Sequence, residues 1–191
     1  GLVLSVERNR VDDLGGRTFI TTSIVSGQGQ SGQNAQRIMP GQPLGVFWGP
    51  QYAGLDDKGR QLFNKYTVTR DAAGKETARV RAGTTMSPSG DDAGIIGNAN
   101  PSYSVGLRSN GKWKRFDASM LVRAEMGRDV FNNTALVYAN TGAILQDRNF
   151  LKSALDSKQA LTEPAIYSSR WIEDGSFVRL QNVTVGYTFK V

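Results

Sequence analysis

Apolar and polar side chains alternate along residues 177–191, at the C-terminal end of the sequence. One side of this two-residue period carries Phe177, Val183, Val185, Tyr187, Phe189 and Val191, and the other carries Val178, Leu180, Asn182, Thr184, Gly186, Thr188 and Lys190. Such alternation predicts a β-strand with one apolar face. About 9 to 11 tilted residues cross a bilayer, whereas strands of soluble proteins usually have about 5 or 6. The predicted strand is therefore long enough to span a membrane.

A second alternating stretch lies in the middle of the chain. The side chains of Phe116, Ala118, Met120, Val122, Ala124 and Met126 form one wholly apolar side, with Asp117, Arg123 and Glu125 opposite. The preceding residues 103–108 also alternate, and Asn110-Gly111 between the two runs predicts a tight hairpin turn. The apolar side packs on a core if the sheet is soluble, or faces lipid if the sheet belongs to a membrane barrel.

The remaining chain predicts further strands and long connections. Strands are expected within residues 1–11, 17–25 and 42–55, and residues 56–100 have loop-like composition with short β-rich pieces. Residues 127–175 form a long irregular connection that contains one predicted helix, residues 149–161, with Asn149 as its cap. We therefore predict an all-β, antiparallel fold with long loops and one short loop helix.

Composition excludes several kinds of catalytic site. The 191 residues contain no Cys and no His, so they cannot build a Ser-His-Asp triad or a zinc-cysteine site. We predict no enzyme activity, no metal and no cofactor. The net charge of +6 comes from basic residues scattered along the chain, without a cluster interleaved with aromatics, and this does not favour nucleic-acid binding. Since no run of about 18 apolar residues occurs, the sequence predicts no transmembrane helix.

Two local motifs suggest chemistry that their surroundings do not support. Gly27, Gly29 and Gly32 have the GxGxxG spacing of dinucleotide-binding folds, but Pro40-Gly41 end any following helix too early. We interpret this stretch as a Gly- and Gln-rich connection. The aspartates of residues 56–57, 71 and 91–92 lack the regular spacing and closing Glu of a calcium loop, and a polar loop is the favoured interpretation.

Three stretches, in order along the chain, resemble one family. SRWIEDGSFVRLQNVTVGYTFK (residues 169–190) resembles the late-barrel segment of SusC/RagA-type TonB-linked outer-membrane receptors. PGQPLGVFWGPQYAGL (residues 40–55) resembles their "G-P-G-F-G-G" strand. The "IGNPNP" hairpin that ends in "GNDVYN" is similar to residues 96–134, which read IGNANPSYSVGLRSNGKWKRFDASMLVRAEMGRDVFNNT. Three ordered matches are more specific than any one of them.

The resemblance implies a place in a transport system. Members form barrels of about 22 strands around a plug domain, take up oligosaccharides or peptides beneath a SusD-like lipoprotein, and are driven by the TonB complex. Residues 1–191 are then a partial C-terminal barrel region of an outer-membrane protein, with the plug domain, the TonB-contacting part and the final strands absent. Short periplasmic turns and long outer loops put Asn110-Gly111 at the periplasmic end and residues 56–100 and 127–175 outside.

The resemblance also suggests which residues act. The expected lipid-facing residues are Phe116, Met120, Val122, Val183, Val185, Tyr187 and Phe189. The candidate contacts to a ligand or to the lipoprotein are Asp129, Asn132, Asn133 and Trp171, because polar and aromatic loop groups suit glycans. An independent soluble β-sandwich, acting as an adhesion or carbohydrate-binding module, stays open as the alternative from another class of protein. It accounts for the alternation and loops but not for the long final strand.

Overall fold

The computed structural model describes residues 1–27 and 30–190 of the chain. Almost all regular structure is antiparallel β-sheet, which confirms the predicted fold class. The strands are β1 (Leu2–Ser5), β2 (Ile20–Ile24), β3 (Asn34–Ile38), β4 (Val46–Pro50), β5 (Tyr52–Leu55), β6 (Gln61–Arg70), β7 (Glu76–Thr85), β8 (Ala93–Asn98), β9 (Tyr103–Trp113), β10 (Phe116–Met126), β11 (Asp129–Phe131), β12 (Ile172–Asp174) and β13 (Phe177–Tyr187). Gly29 of the GxGxxG motif and Val191 lie outside the described residues.

Two short helices and three 3-10 segments complete the described structure. The helices are α1 (Asn133–Tyr138) and α2 (Ser153–Asp156), and the 3-10 segments are Gly90–Asp92, Thr141–Gln146 and Ser169–Trp171. The predicted helix over residues 149–161 is thus wrong in extent, because only α2 forms within it and Lys158 has a φ of 56° that helical backbone cannot contain. Within the described part of the chain, no helix has the length and apolar content needed to cross a membrane.

The strands divide into two regions of different character. A four-stranded sheet in the order β1-β9-β10-β13 contains the longest strands of the central and C-terminal parts. We call it the wall sheet. A second four-stranded sheet (β2-β3-β4-β8), a three-stranded sheet (β5-β6-β7) and the β11-β12 pair belong to the long connections between wall strands. We call these connections, with their helices, the loop region.

The loop region holds the hydrophobic core of the chain. Strands and helices far apart in sequence supply its buried members, which are Val25, Ala35, Phe47, Leu136, Tyr167 and Trp171. The rings of Phe131 and Tyr167 meet edge to face at 5.1 Å between centroids, and the Tyr167 hydroxyl donates a 2.7 Å hydrogen bond to the carbonyl of Ala35. Burial raises the pKa of Tyr167 well above its usual value, so this hydroxyl keeps its proton and its bond.

The loop region is more regular than the sequence predicts. Residues 56–100 contain the β6-β7 hairpin, whose strands are ten residues each, rather than short β-rich pieces. Its turn is fixed by Asp71, whose carboxylate accepts hydrogen bonds from the amides of Ala73 (3.0 Å) and Lys75 (2.9 Å). Polar side chains such as Lys65 and Arg81 occupy both strands, so the hairpin has little of the apolar alternation by which strands are recognised.

The hairpin turn between β9 and β10 is displaced from its predicted place. Asn110 and Gly111 lie inside β9, opposite Ser119 and Ala118, and the chain reverses at Lys114-Arg115 instead. A turn at Asn110-Gly111 would pair Tyr103 with Ala118 and leave residues 119–126 without a partner in β9. The observed register pairs every residue of both 11-residue strands, so the additional ladder outweighs the local turn preference. The cost is a positive φ of 53° at Lys114.

Candidate functional site

The wall sheet has one apolar face and one polar face. The register aligns the apolar positions of β10 with those of its neighbours: Met120 lies opposite Val183 of β13, and Val122 lies opposite Leu107 of β9. Leu107 in turn lies opposite Leu2 of β1. The apolar face consists mainly of Leu2, Leu4, Tyr103, Val105, Leu107, Trp113, Phe116, Ala118, Met120, Val122, Ala124, Met126, Val178, Leu180, Val183, Val185 and Tyr187.

A β-bulge makes this face continuous along β13. The register shifts between Leu121 and Val122, so that Leu121 lies opposite Asn182 while Val122 lies opposite Leu180. The extra residue is Gln181. Directly opposed residues share a face, and Val178 and Leu180 therefore join Val183 and Val185. The prediction that Val178 and Leu180 lie on the polar side is wrong, because a strict two-residue period does not survive one inserted residue.

No other part of the described chain covers the apolar face. Val183 is 56% exposed, Val185 70% and Leu2 70%, although all three occupy central or paired strand positions. A monomeric soluble protein rarely leaves so broad an apolar surface uncovered. All seven residues predicted to face lipid are exposed or half-buried, and six of them lie on this face by register; Phe189 follows the end of β13.

Aromatic rings gather at the hairpin end of the apolar face. The ring of Tyr187 lies 4.8 Å from that of Phe116 and 4.8 Å from that of Phe189, centroid to centroid. Trp113 adjoins them across the hairpin, with the Lys114 ammonium 4.8 Å from its ring centroid. At the opposite end of the strands stands Tyr103. Aromatic and basic side chains at the ends of an apolar band have the chemistry of a membrane–water interface.

The opposite face of the wall sheet carries charge. Glu125, which is 8% exposed, accepts hydrogen bonds from Arg123 (Nη2 to Oε1, 2.6 Å) and Arg128 (Nη1 to Oε2, 2.7 Å). Asp117 lies on the same face, opposite Lys112 of β9 and Gly186 of β13. The sheet thus separates an uncharged surface from one with paired ions.

The four predicted ligand or lipoprotein contacts lie close together, around the β11-β12 pair and α1. Asp129 is in β11 and accepts a 2.8 Å hydrogen bond from the amide of Asn98. Asn132 caps α1, accepting from the amide of Ala135 at 2.8 Å, while its side-chain amide donates to Glu173 at 2.8 Å. These two polar side chains therefore already hold elements of the loop region together.

The other two predicted contacts are also engaged. Asn133 accepts a 3.2 Å hydrogen bond from the amide of Ser26. Trp171 is 4% exposed in the core, and its indole N–H donates to the carbonyl of Ile166 at 2.9 Å. Structural roles account for all four residues, and their contact with a ligand or lipoprotein stays a prediction.

The aspartates of the loop region stabilise turns. Asp56 accepts from the amides of Arg60 (2.8 Å) and Lys58 (2.9 Å), and these bonds, that of Arg60 first, hold its pKa below the usual value. Asp92 is buried, which by itself raises its pKa, but hydrogen bonds from Ser89 and Tyr66 lower it overall. Over residues 1–27 and 30–190, no group of three acidic or other ligating side chains could hold a metal ion.

Two cavities open in the loop region, each of about 590 Å³. The first lies beside α1 and includes Tyr138, Asn140 and Arg148. The second lies along β3 and β4 and includes Arg37 and Trp48. Sequence analysis missed both, because their residues come from segments as distant as β3 and residues 165–167. The sequence contains one weak sign of the second cavity. Arg37 comes two residues after the core residue Ala35, on the same side of β3.

Comparison with known proteins confirms the resemblance seen in the motifs. The chain is 27% identical over 163 residues, 81% of its length, to TonB-dependent receptor P3 of Formosa agariphila, and 26% identical over its whole length to TonB-dependent receptor P26 of the same organism. It spans 16% and 20% of those two relatives, at most about a fifth of either. No family model matches the chain.

The fold has a counterpart among solved structures. A chain in the structure of the RagAB peptide transporter superposes on 97% of this chain with a TM-score of 0.70 and 21% identity, and the match covers 20% of that chain. Both relatives are named as receptors rather than as enzymes, in agreement with the prediction that the chain is not an enzyme.

Proposed function

Since the chain is related to TonB-dependent receptors, we propose that its wall sheet is part of the lipid-facing wall of an outer-membrane barrel and that its loop region lies outside the cell. The observation that carries the proposal is the continuous, uncovered apolar face on strands β9, β10 and β13, each 11 residues long. Strands of about 9 to 11 residues suit a bilayer. Hydrocarbon is the solvent in which such a face needs no further cover.

The topology supports one orientation. In bacterial barrels the periplasmic turns are short and the outer loops long. The Lys114-Arg115 turn has two residues, whereas the connections from β1 to β9 and from β10 to β13 contain the whole loop region. We therefore assign the hairpin end, with Trp113, Phe116 and Tyr187, to the periplasmic interface. Asp117, Arg123 and Glu125 then face the lumen.

The wall sheet needs neighbours on both sides. Strands β1 and β13 are its edges, and each pairs with one strand in the described chain. Unpaired backbone groups are very costly in lipid, and four strands are too few to enclose a lumen. We propose that residues 1–191 are one segment of a larger barrel, and that the plug, the TonB-contacting part and the closing strands belong to other parts of the receptor.

The loop region is the proposed place of ligand and partner contact. A receptor of this kind would import an oligosaccharide or a peptide beneath a SusD-like lipoprotein, and Asp129, Asn132, Asn133 and Trp171 are proposed contacts. Asn132 offers a clean test because Asn132→Ser keeps the helix cap. If Asn132 contacts the lipoprotein, this variant of the full-length receptor should co-purify less of it while α1 keeps its protection from hydrogen exchange.

Single-cysteine labelling tests the wall. The 191 residues contain no Cys, so Val183→Cys and its neighbour Thr184→Cys can be compared in a full-length receptor without other exposed cysteines. We expect Val183→Cys to react with a lipid-confined thiol reagent in outer-membrane vesicles. We expect Thr184→Cys, on the opposite face, to react only with a small water-soluble reagent.

The contrary result would favour the soluble alternative. If both cysteines react with water-soluble reagent and the receptor fractionates without membrane, the apolar face must be covered by another protein layer, as in a β-sandwich. The barrel proposal would then fail.

A further inference from the structure

The cavity along β3 and β4 contains one charged group. Its lining comes from β2, β3, β4 and residues 30–33, 88–93 and 165–167, and Arg37 is the single charged side chain among its described residues. The remaining polar lining is neutral and includes Thr21, Gln33 and Asn34. A volume of about 590 Å³ is in the range of small-ligand sites. The cavity is therefore a neutral polar pocket with one fixed positive charge.

Two aromatic rings hold the Arg37 guanidinium in place. Its central carbon lies 4.1 Å from the ring centroid of Phe19 and 4.7 Å from that of Trp48. Contact with two rings restricts the position of the guanidinium. Partial burial lowers the pKa of Arg37 from its ordinary value, as expected for a cation taken out of water.

Arg37 has no counter-charge in the described chain. Over residues 1–27 and 30–190, no carboxylate lies within 4.0 Å of its guanidinium, and the group donates no hydrogen bond. Trp48 adds a second unmet donor, because its buried indole N–H has no acceptor in the same part of the structure. Two donor groups beside the pocket, the Arg37 guanidinium and the Trp48 indole N–H, therefore have no acceptor among residues 1–27 and 30–190.

A second stacked arginine shows what a structural role looks like. Arg170 lies over the rings of Trp171 (4.6 Å) and Tyr52 (5.2 Å). Its Nη1 donates to the side-chain oxygens of Gln159 (2.6 Å) and Gln61 (3.3 Å). Arg170 is stacked and internally bonded, whereas Arg37 is stacked and has no polar partner among residues 1–27 and 30–190. The contrast indicates that Arg37 is prepared for an acceptor from outside the chain.

We propose that this cavity binds an oxyanion carried by a sugar, and that Arg37 recognises its carboxylate or sulfate group. A planar, preoriented guanidinium suits two parallel hydrogen bonds to a carboxylate. The hydroxyl and amide groups of Thr21, Gln33 and Asn34 suit sugar hydroxyls. The inference rests on the proposed function, because it names an acidic oligosaccharide as the class of ligand that the loop region meets.

Binding to the purified full-length receptor in detergent tests the proposal. The probe is D-glucuronate, followed by saturation-transfer NMR, with the uncharged methyl ester of the same sugar as the matched ligand. We expect glucuronate to bind with millimolar affinity and the ester about tenfold or more weaker, since bonds to a charged group are lost. Inorganic sulfate should displace glucuronate.

Variants of the receptor connect the effect to Arg37. Arg37→Gln should weaken glucuronate binding about tenfold or more, and Arg37→Lys should lie between, since it keeps the charge but loses the planar fork. Arg17→Gln, at an exposed position, is the control with the same loss of charge. Hydrogen exchange at Val25, whose amide bonds the carbonyl of Gln33, reports whether the fold around the cavity is intact.

Three results would overturn the proposal. The first is equal binding of glucuronate and its ester. The second is unchanged affinity in Arg37→Gln with the fold intact. The third is displacement of glucuronate by triglycine, at a concentration below that of the glucuronate, with no displacement by triglycine amide. The last result would assign the cavity to a peptide carboxylate. Because binding is measured in detergent, failure here leaves the membrane-wall proposal standing, and failure of the cysteine labelling leaves this binding result standing.

Discussion

The wall sheet and the loop region use apolar side chains in opposite ways. In the loop region, Phe47 is 5% exposed and Leu136 0%, packed among residues from distant segments. In the wall sheet, Val183 and Val185 are 56% and 70% exposed despite regular strand pairing on one side. The loop region therefore has the interior of a water-soluble fold, whereas the wall sheet leaves a broad apolar surface uncovered, as its proposed place in a lipid-facing wall requires.

The largest expected effect is on the interior of the loop region. Phe47→Ala should lower the free energy of local unfolding of that region by about 3–5 kcal/mol, because it leaves a cavity in a packed core. Hydrogen exchange of the full-length receptor should show faster exchange at Val25 and Ala99, whose amides bond neighbouring loop segments. Leu155→Ala, at a 60% exposed position, is the matched control and should change little. Equal exchange in both variants would contradict a packed core at Phe47.

The second prediction concerns the wall sheet. Val183→Arg should cost about 2–4 kcal/mol, the penalty for a lipid-facing Arg near the middle of a bilayer, and should reduce the fraction of receptor that assembles in the outer membrane. Thr184→Arg places the same charge on the opposite face and should assemble nearly normally. Heat-modifiable mobility of the folded receptor on gels measures the assembled fraction. If Thr184→Arg were the more damaging variant, our assignment of the two faces would be reversed.

The wall sheet could be predicted where the alternation of side chains determines the structure. It could not be predicted where the pairing of strands determines it. The alternation of β10 was sufficient for its strand and both of its faces, since no irregularity interrupts the sequence period. The turn of the hairpin was not predictable from Asn110-Gly111, because it depends on how many residues of β9 and β10 can pair. The placement of Val178 and Leu180 depends on a bulge at Gln181, which only pairing with β10 reveals.

The loop region was less predictable because tertiary contacts determine it. Helix α1 was missed, although Asn132 before it is a good cap. In the predicted helix at residues 149–161, Leu151, Leu155 and Leu161 are exposed although Ala154 is buried, so little of its apolar side meets a core. Arg37 and Trp48 come together through the pairing of β3 and β4, which short sequence windows do not contain.

A third prediction is pH-dependent and concerns Asp92, which joins the β6-β7 hairpin to the rest of the loop region. Its carboxylate accepts 2.8 Å hydrogen bonds from the amides of Ser89 and Tyr66 and from the Ser89 hydroxyl. Asp92→Asn should lower the stability of this junction by about 1–2 kcal/mol at neutral pH. The reason is that hydrogen bonds to a charged carboxylate are replaced by weaker bonds to a neutral amide. Hydrogen exchange at Tyr66 measures the change.

The sign of the pH effect follows from the lowered pKa of Asp92. Its stabilisation is present above the pKa of an unfolded Asp, about 4, and is lost as the pH falls through the lower pKa of the folded state. The difference between Asp92 and the Asn variant should therefore shrink at acidic pH. A difference that stays constant below pH of about 3 would show that ionisation is not its cause.

The smallest effect is expected at the cap of α1. Asn132→Ala should cost about 1 kcal/mol, since the amide of Ala135 loses its acceptor and Glu173 loses a donor. Asn132→Ser should retain most of this stability because serine is an equally good cap. Exchange rates at Ala135 and Leu136 would separate the two variants. Identical rates in both would mean that packing of Leu136 alone holds the helix.

The bulge at Gln181 has a consequence for how related chains are compared. Upstream of it, odd-numbered positions of β13 are polar-facing; downstream, even-numbered positions are. Removing Gln181 would turn the bulge into a regular ladder, in which Val178 and Leu180 keep their partners Ala124 and Val122 and stay on the apolar face. In an alignment of such strands, a gap of one residue at this position therefore marks the presence or absence of a β-bulge rather than a change of loop length.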